Sequence, residues 1–214
     1  MTYNNRQLEP LLISKADFGC VTQLAQHCDW DQMTMYIREQ QNLSLLPKIG
    51  ACLFDKLLRY CQGFRMEMES GSCSEQEEDV LKHLWIGGRF EACDGQIKMH
   101  FGLKRSLIHW TYGAYLYRHG IVDTAFGAVQ KISESSLPID LKELSKINVE
   151  QRNNAEFYFK MTKEYLCSVK DCPVLASCNI CDCIKDCKCH TCCNKANGKT
   201  KQNRGVRFKN ISKY

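Results

Sequence analysis

Between residues 15 and 62 apolar positions recur at helical spacing, and this stretch reads as three helices with short joins. In the first, Asp17 is placed to cap a run in which Phe18, Val21, Leu24 and Cys28 fall on one stripe. The second begins near Asp31 and carries Met33, Tyr36 and Ile37. Pro47 suits the first turn of the third, whose Ile49, Leu53, Leu57 and Tyr60 share a face. Residues 63–76 (GFRMEMESGSCSEQ) hold few large aliphatics and several Gly, Ser and Glu, which is loop chemistry. A short helix over Glu77 to Trp85 follows.

The pattern then changes period. In GGRFEACDGQIKMHFG, Asp94-Gly95 separates two short runs, and an Asp-Gly pair favours a tight turn, so a β-hairpin is predicted from about Arg89 to His100. From Gly102 to His119 the residues Leu103, Leu107, Trp110, Ala114 and Tyr117 make an apolar stripe that Gly120 is placed to end. Residues 120–138 hold β-branched and aromatic residues without a helical period, which predicts an extended arm with some strand character. A last helix is expected over roughly Asp140 to Cys167. Its Tyr158, Met161 and Tyr165 share a face, Asn153 and Asn154 make its middle polar, and that face is expected to contact another chain.

The sum is a mainly α chain: a helical core over 1–166, a Cys-rich segment over 167–194 and a basic tail over 195–214. At 214 residues, 44% hydrophobic and 25% charged, the composition fits one folded domain with an appendage. The formal charge of +5 is unevenly held. Seven Lys and Arg and no acid lie within 195–214, which leaves residues 1–194 at −2. No secretory leader and no apolar run near the ~20 residues of a membrane span is present, so a soluble protein of a reducing cytosol is expected, with no membrane partner.

In such a compartment clustered cysteines point to metal before disulfide. The stretch CNICDCIKDCKCHTCCN supplies Cys178, Cys181, Cys183, Cys187, Cys189, Cys192 and Cys193, with His190 beside them. Thiolates this close together can converge on one soft cation without a surrounding fold, so one zinc ion, or two with shared thiolates, is expected here. Disulfides and an uncommitted thiol-rich tail are the alternatives, and the spacing does not single out which cysteines bind. In the tail, Lys199, Lys201, Arg204, Arg207 and Lys209 are candidates for phosphate contact with a nucleic acid, against the plainer reading of a solvated terminus.

Nothing in the chain reads as catalytic. The six histidines are scattered, with no acid or nucleophile beside them at a recognisable spacing. GGRF and GAYLYRHG do not continue into phosphate-loop sequences. Trp30, Trp85 and Trp110 read as core or interface aromatics. The expectation is that this is not an enzyme.

Three stretches carry a resemblance: YIREQQNLSLLPKIG (36–50), GLKRSLIHWTYGAYLYRHGIVDTAFGAVQKISESSLP (102–138) and QRNNAEFYFKMTKEYL (151–166). With the spacing between them, over roughly residues 10–175, the chain resembles the head–tail connector (neck ring or adaptor) proteins of tailed phages. In particular it resembles the form found in phages of Bacteroidetes, including crAss-like phages. The resemblance implies a helical-bundle connector fold with a small β-hairpin and an extended inter-subunit arm. It implies a virion protein that forms a homo-oligomeric, typically dodecameric ring beneath the portal protein. Such a ring meets other neck or tail ring proteins and continues the channel through which double-stranded DNA passes. By position, Asp123 to Lys131 would lie in the arm that reaches a neighbour, while Tyr36, Leu43, Leu45, Pro47 and Gly50 look structural. The Cys-rich end is not required by that core, and reads as a clasp on the C-terminus. The competing expectation is a zinc-dependent nucleic-acid-binding regulator, with residues 178–193 as its metal module and the tail on phosphate.

Overall fold

The computed structural model describes residues 10–19, 21, 28–63, 74–92, 94–119, 121–124, 127–130, 140–169, 175 and 178, with the backbone alone at 74–76 and within 121–130. In chain order the elements are α1 (Lys15–Phe18), α2 (Trp30–Gln40), a π-helical turn (Gln41–Leu45), α3 (Leu46–Ile49), α4 (Ala51–Cys61), α5 (Ser74–Ile86), β1 (Gly88–Glu91), β2 (Ile97–His100), α6 (Gly102–His119), β3 (Ile121–Thr124), β4 (Gly127–Gln130) and α7 (Leu141–Ser168). Helix takes up 76% of what is described, so the mainly helical class expected from the sequence holds.

Helix α6 is the axis of the fold. A single apolar stripe was expected, but the helix is buried on every side: Leu103, Ser106, Leu107, Ile108, His109, Trp110, Thr111, Gly113 and Tyr115 are all inside. α2, the π turn, α5 and α7 pack around it. The helix keeps only a narrow polar edge, with Lys104 and Arg105 half-buried and Arg118 exposed, and Tyr115 is buried while Ala114 and Tyr117 are partly covered. Burying one of its leucines contributes on the order of 1.5–3 kcal/mol. Its start depends on glycine. Gly102 has φ +73°, and a Cβ there would lie 2.2 Å from the Trp85 carbonyl oxygen at the end of α5.

Helix α7 runs beside α6 in the opposite direction, and the contacts fix the register. Gly113 faces Asn148 and Gln151, His109 faces Gln151 and Tyr158, Phe101 just before α6 faces Tyr158, and His100 in β2 faces Tyr165. A Cβ at Gly113 would come within 2.9 Å of Gln151 Cβ, so the missing side chain is what lets the helices approach. Of the face expected to meet another chain, Tyr165 is buried and Tyr158 packs on Phe101 and His109, while Met161 is half-buried. The exposed apolar residues of α7 are Leu141, Val149 and Phe157.

The β1–β2 hairpin lies where Asp94-Gly95 predicts it, with Gly88 opposite His100 and Glu91 opposite Ile97. Gly95 has φ +77°, and Gln96 N–H donates to Asp94 Oδ1 at 3.1 Å, closing the turn. The strand character expected within 120–138 holds over its described part. β3 and β4 pair antiparallel with each other, Ile121 opposite Gln130 and Thr124 opposite Gly127, as a second short hairpin. The rest of the expected arm, 131–138, lies outside the described residues.

The amino-terminal helices differ in detail from the sequence reading. Ser14, not Asp17, precedes α1, and Ser14 N–H and Oγ both donate to Asp17 Oδ2, at 2.7 and 2.9 Å. Val21 lies beyond that short helix and Leu24 outside the described residues. Asp29 caps α2, accepting from Gln32 N–H. Pro47 does lie in the first turn of α3, but that helix is short: the chain runs on from α2 through the π turn into α3 and breaks at Gly50, where φ is +80°, so Leu53, Leu57 and Tyr60 fall in α4. The π turn aims Gln41 into the core, where its Oε1 accepts from Leu12 N–H at 2.8 Å and its Nε2 donates to the Pro10 carbonyl at 3.2 Å. A buried amide satisfied this way ties residues 10–13 to the bundle. The same turn leaves Leu43 exposed, which corrects its reading as a structural position.

Candidate functional site

Of the expected metal ligands, Cys178 alone is described, and its sulfur is joined to Cys52 at the start of α4 in a disulfide spanning 126 residues of sequence. A disulfide sulfur is no longer a thiolate, so with this bond closed Cys178 leaves the ligand set and the clasp is covalent. Cys181, Cys183, Cys187, Cys189, His190, Cys192 and Cys193 lie outside the described residues, as do Lys199, Lys201, Arg204, Arg207 and Lys209. Among the described residues no group of three or more His, Cys, Asp or Glu is placed to hold a metal ion. Leu175 and Cys178 are both buried against the bundle, so the chain after α7 returns to the core.

The densest concentration of chemistry lies along the α6–α7 seam. Phe101, Arg105 and His109 follow at four-residue spacing and meet one ring, Tyr158. The Arg105 guanidinium sits 4.9 Å from the centroids of both Phe101 and Tyr158, beside two rings that meet edge-on 5.2 Å apart. His109 stacks on the same tyrosine at 5.3 Å. Its Nδ1 lies 2.7 Å from Gln151 Oε1, an acceptor, so the proton sits on Nδ1 and Nε2 is left without a partner among the described residues. Burial pushes the His109 pKa down, the charge of Arg105 adds to this, and the Gln151 hydrogen bond opposes it.

One step further along, His100 is fully buried, stacked 4.4 Å from Tyr165 and edge-on to Phe90, with neither ring nitrogen hydrogen-bonded among the described residues. Burial, with neighbouring His83, brings its pKa down to about 4, so the imidazole stays neutral. Outside this stack Lys98 bridges Asp94 and Glu164, each at 3.3 Å, and the Glu164 and Asp94 hydrogen bonds raise its pKa. The ammonium thereby fastens the hairpin to α7.

On another side of the bundle an open cleft of about 560 Å³ is lined by Leu11, Ile13, Trp30, Tyr60, Cys61 and Trp85. Burial pushes the Cys61 thiol up to about 12, so it is protonated near neutral pH and a poor nucleophile. Asp17 at the rim pairs with Lys104.

The outer surface around the hairpin shows the opposite balance. Ile97 is 78% exposed, Met99 51% and Phe157 58%. Arg105, Phe101, His109 and Gln151 were missed in the sequence as a unit, although the Phe-Arg-His spacing of i, i+4, i+8 puts all three on one helical line.

Among the described residues no helix is long and apolar enough to cross a membrane. No curated protein and no solved structure matches the chain. Residues 71–182, from just before α5 through α7 to beyond Cys178, match the model of the Family of unknown function (DUF6712). That span is more than half the chain and holds the whole α6–α7 seam, so the protein belongs to family DUF6712.

Proposed function

We propose that this protein is a structural subunit of a virion, forming a head–tail connector ring beneath the portal and continuing the DNA channel toward the tail. The observation that carries the reading is the exposed apolar surface of Ile97 and Met99 on the hairpin and of Phe157 on α7, outside a seam whose leucines are sealed. A subunit of this kind keeps such residues outside because a neighbour covers them. The resemblance of residues 36–50, 102–138 and 151–166 to neck-ring proteins supplies the kind of assembly. The clasp between Cys52 and Cys178 returns the Cys-rich end to the bundle, consistent with a segment that orders the C-terminus at a ring-to-ring contact. Zinc at the remaining cysteines and DNA on the basic tail belong to the same proposal. Clustered Lys and Arg suit non-specific contact with a moving duplex.

The test is co-sedimentation of the full chain with capsids of the encoding virus that do or do not carry portal. Binding to portal-bearing capsids alone is expected. A protein that ignores both but binds a defined nucleic acid as a small oligomer, through a zinc-loaded tail, contradicts the connector and establishes the regulator.

A further inference from the structure

Arg105 is a cation without an anion. Its guanidinium lies 4.9 Å from the centroids of both Phe101 and Tyr158, beside rings that meet edge-on 5.2 Å apart, and no carboxylate pairs with it among the described residues. Its Nε is buried and has no partner among the described residues. Resting against two rings, the fork is partly pre-organised for a planar acceptor at its outer nitrogens. Next to it Tyr158 carries Phe157 edge-on at 5.6 Å, and Phe157 is 58% exposed. An arginine fixed among aromatics beside an exposed aromatic is the composition of an interface anchor.

The same chain presents a complement. On the outer face of the β1–β2 hairpin, Glu91 stands directly opposite Ile97, with Met99 two residues on. All three are exposed, and Glu91 forms no ion pair among the described residues. Arg89 stands on the same face opposite Met99 but makes no ion pair with Glu91 among the described residues, so the carboxylate beside Ile97 and Met99 is available to the guanidinium that rests on Phe101 and Tyr158, with Phe157 offering apolar contact.

We infer that Glu91, Ile97 and Met99 of one copy dock on Arg105 and Phe157 of a second copy, with the Glu91 carboxylate taken by the Arg105 guanidinium. The contact joins two different patches, so repetition from copy to copy extends to a ring where the rotation closes. It deepens the connector reading and rests on it for the second copy as partner.

The test is sedimentation velocity of the full chain across a concentration series, for the wild type, Arg105→Glu, Glu91→Arg and the double swap. The wild type is expected to self-associate. Each single swap weakens this roughly thirtyfold or more, and the double swap recovers most of it. Glu91→Arg changes an exposed hairpin position, so its loss of assembly at unchanged thermal midpoint separates the interface from folding; Arg105→Glu alone does not. Wild-type assembly that neither single swap disturbs overturns this contact and leaves the ring reading standing. Loss in both singles without recovery in the double overturns the pairing of these two residues. A wild type that stays monomeric throughout overturns the contact and the ring together.

Discussion

The inner seam between α6 and α7 and the outer surface of hairpin and α7 are built from similar residues put to opposite ends. In the seam, aromatic rings stack on histidines, Gly113 admits the neighbouring backbone, and Leu103, Leu107 and Leu166 are sealed from water. Outside, Ile97, Met99 and Phe157 face solvent and Glu91 has no counter-ion among the described residues, while the half-buried Arg105 at the edge of the seam rests on Phe101 and Tyr158. Sealed apolar area contributes to folding of the single chain, whereas exposed apolar area contributes only when another surface covers it. On the connector proposal stability and assembly are thereby separable, and substitutions address one without the other.

The largest effect belongs to the seam. Leu107→Ala removes a side chain with 0% exposure from the most enclosed helix and is expected to cost about 2–5 kcal/mol, read by urea unfolding. A loss under about 1 kcal/mol would mean that α6 is not the axis of the core.

The buried imidazole gives a pH dependence of known sign. The folded pKa of His100, about 4, lies below the unfolded value near 6.5, so the unfolded chain binds the extra proton. The stabilisation is fully present above pH 6.5 and is lost as pH falls toward 4, by about 3 kcal/mol across that window. His109, also held neutral by burial, acts in the same direction. His100→Phe keeps a ring against Tyr165 and should flatten most of the slope, whereas an unchanged slope would place the titration elsewhere.

Gly113→Val sharpens the comparison within the seam. The new side chain meets Gln151 and Asn148, and about 1–3 kcal/mol of stability should be lost, read from the thermal midpoint. On the outer surface Phe157→Ser should change the stability of the isolated chain by no more than about 0.5 kcal/mol while weakening self-association. A large loss of monomer stability there would erase the distinction between the two regions.

The sequence made the short hairpin and the two long helices legible for local reasons. Asp94-Gly95 is a turn through its own backbone and side chain, and the bounds of α6 and α7 follow from Gly102, Asp140 and the apolar period. What it did not show depends on contacts distant in sequence. The π turn exists because Gln41 is buried against Pro10 and Leu12, about thirty residues away, and no local pattern encodes that. The enclosed α6 escaped because a 3.6-residue period reports one apolar face, and Ser106, His109 and Thr111 look polar until neighbours cover them. The pairing of β3 with β4 was hidden because residues without a helical period fit an arm and a short hairpin equally. At the candidate site the crowded cysteines drew the reading to the C-terminus, while the partner of Cys178 lay at Cys52, where no spacing rule reaches.

The most direct measurement is the native mass of the full chain over a range of concentrations at moderate salt. The account predicts a defined multiple of the 24.7 kDa chain that forms as concentration rises and that Phe157→Ser diminishes. A mass of 24.7 kDa at every concentration would contradict it, because the exposed surface would then have no second copy to cover it.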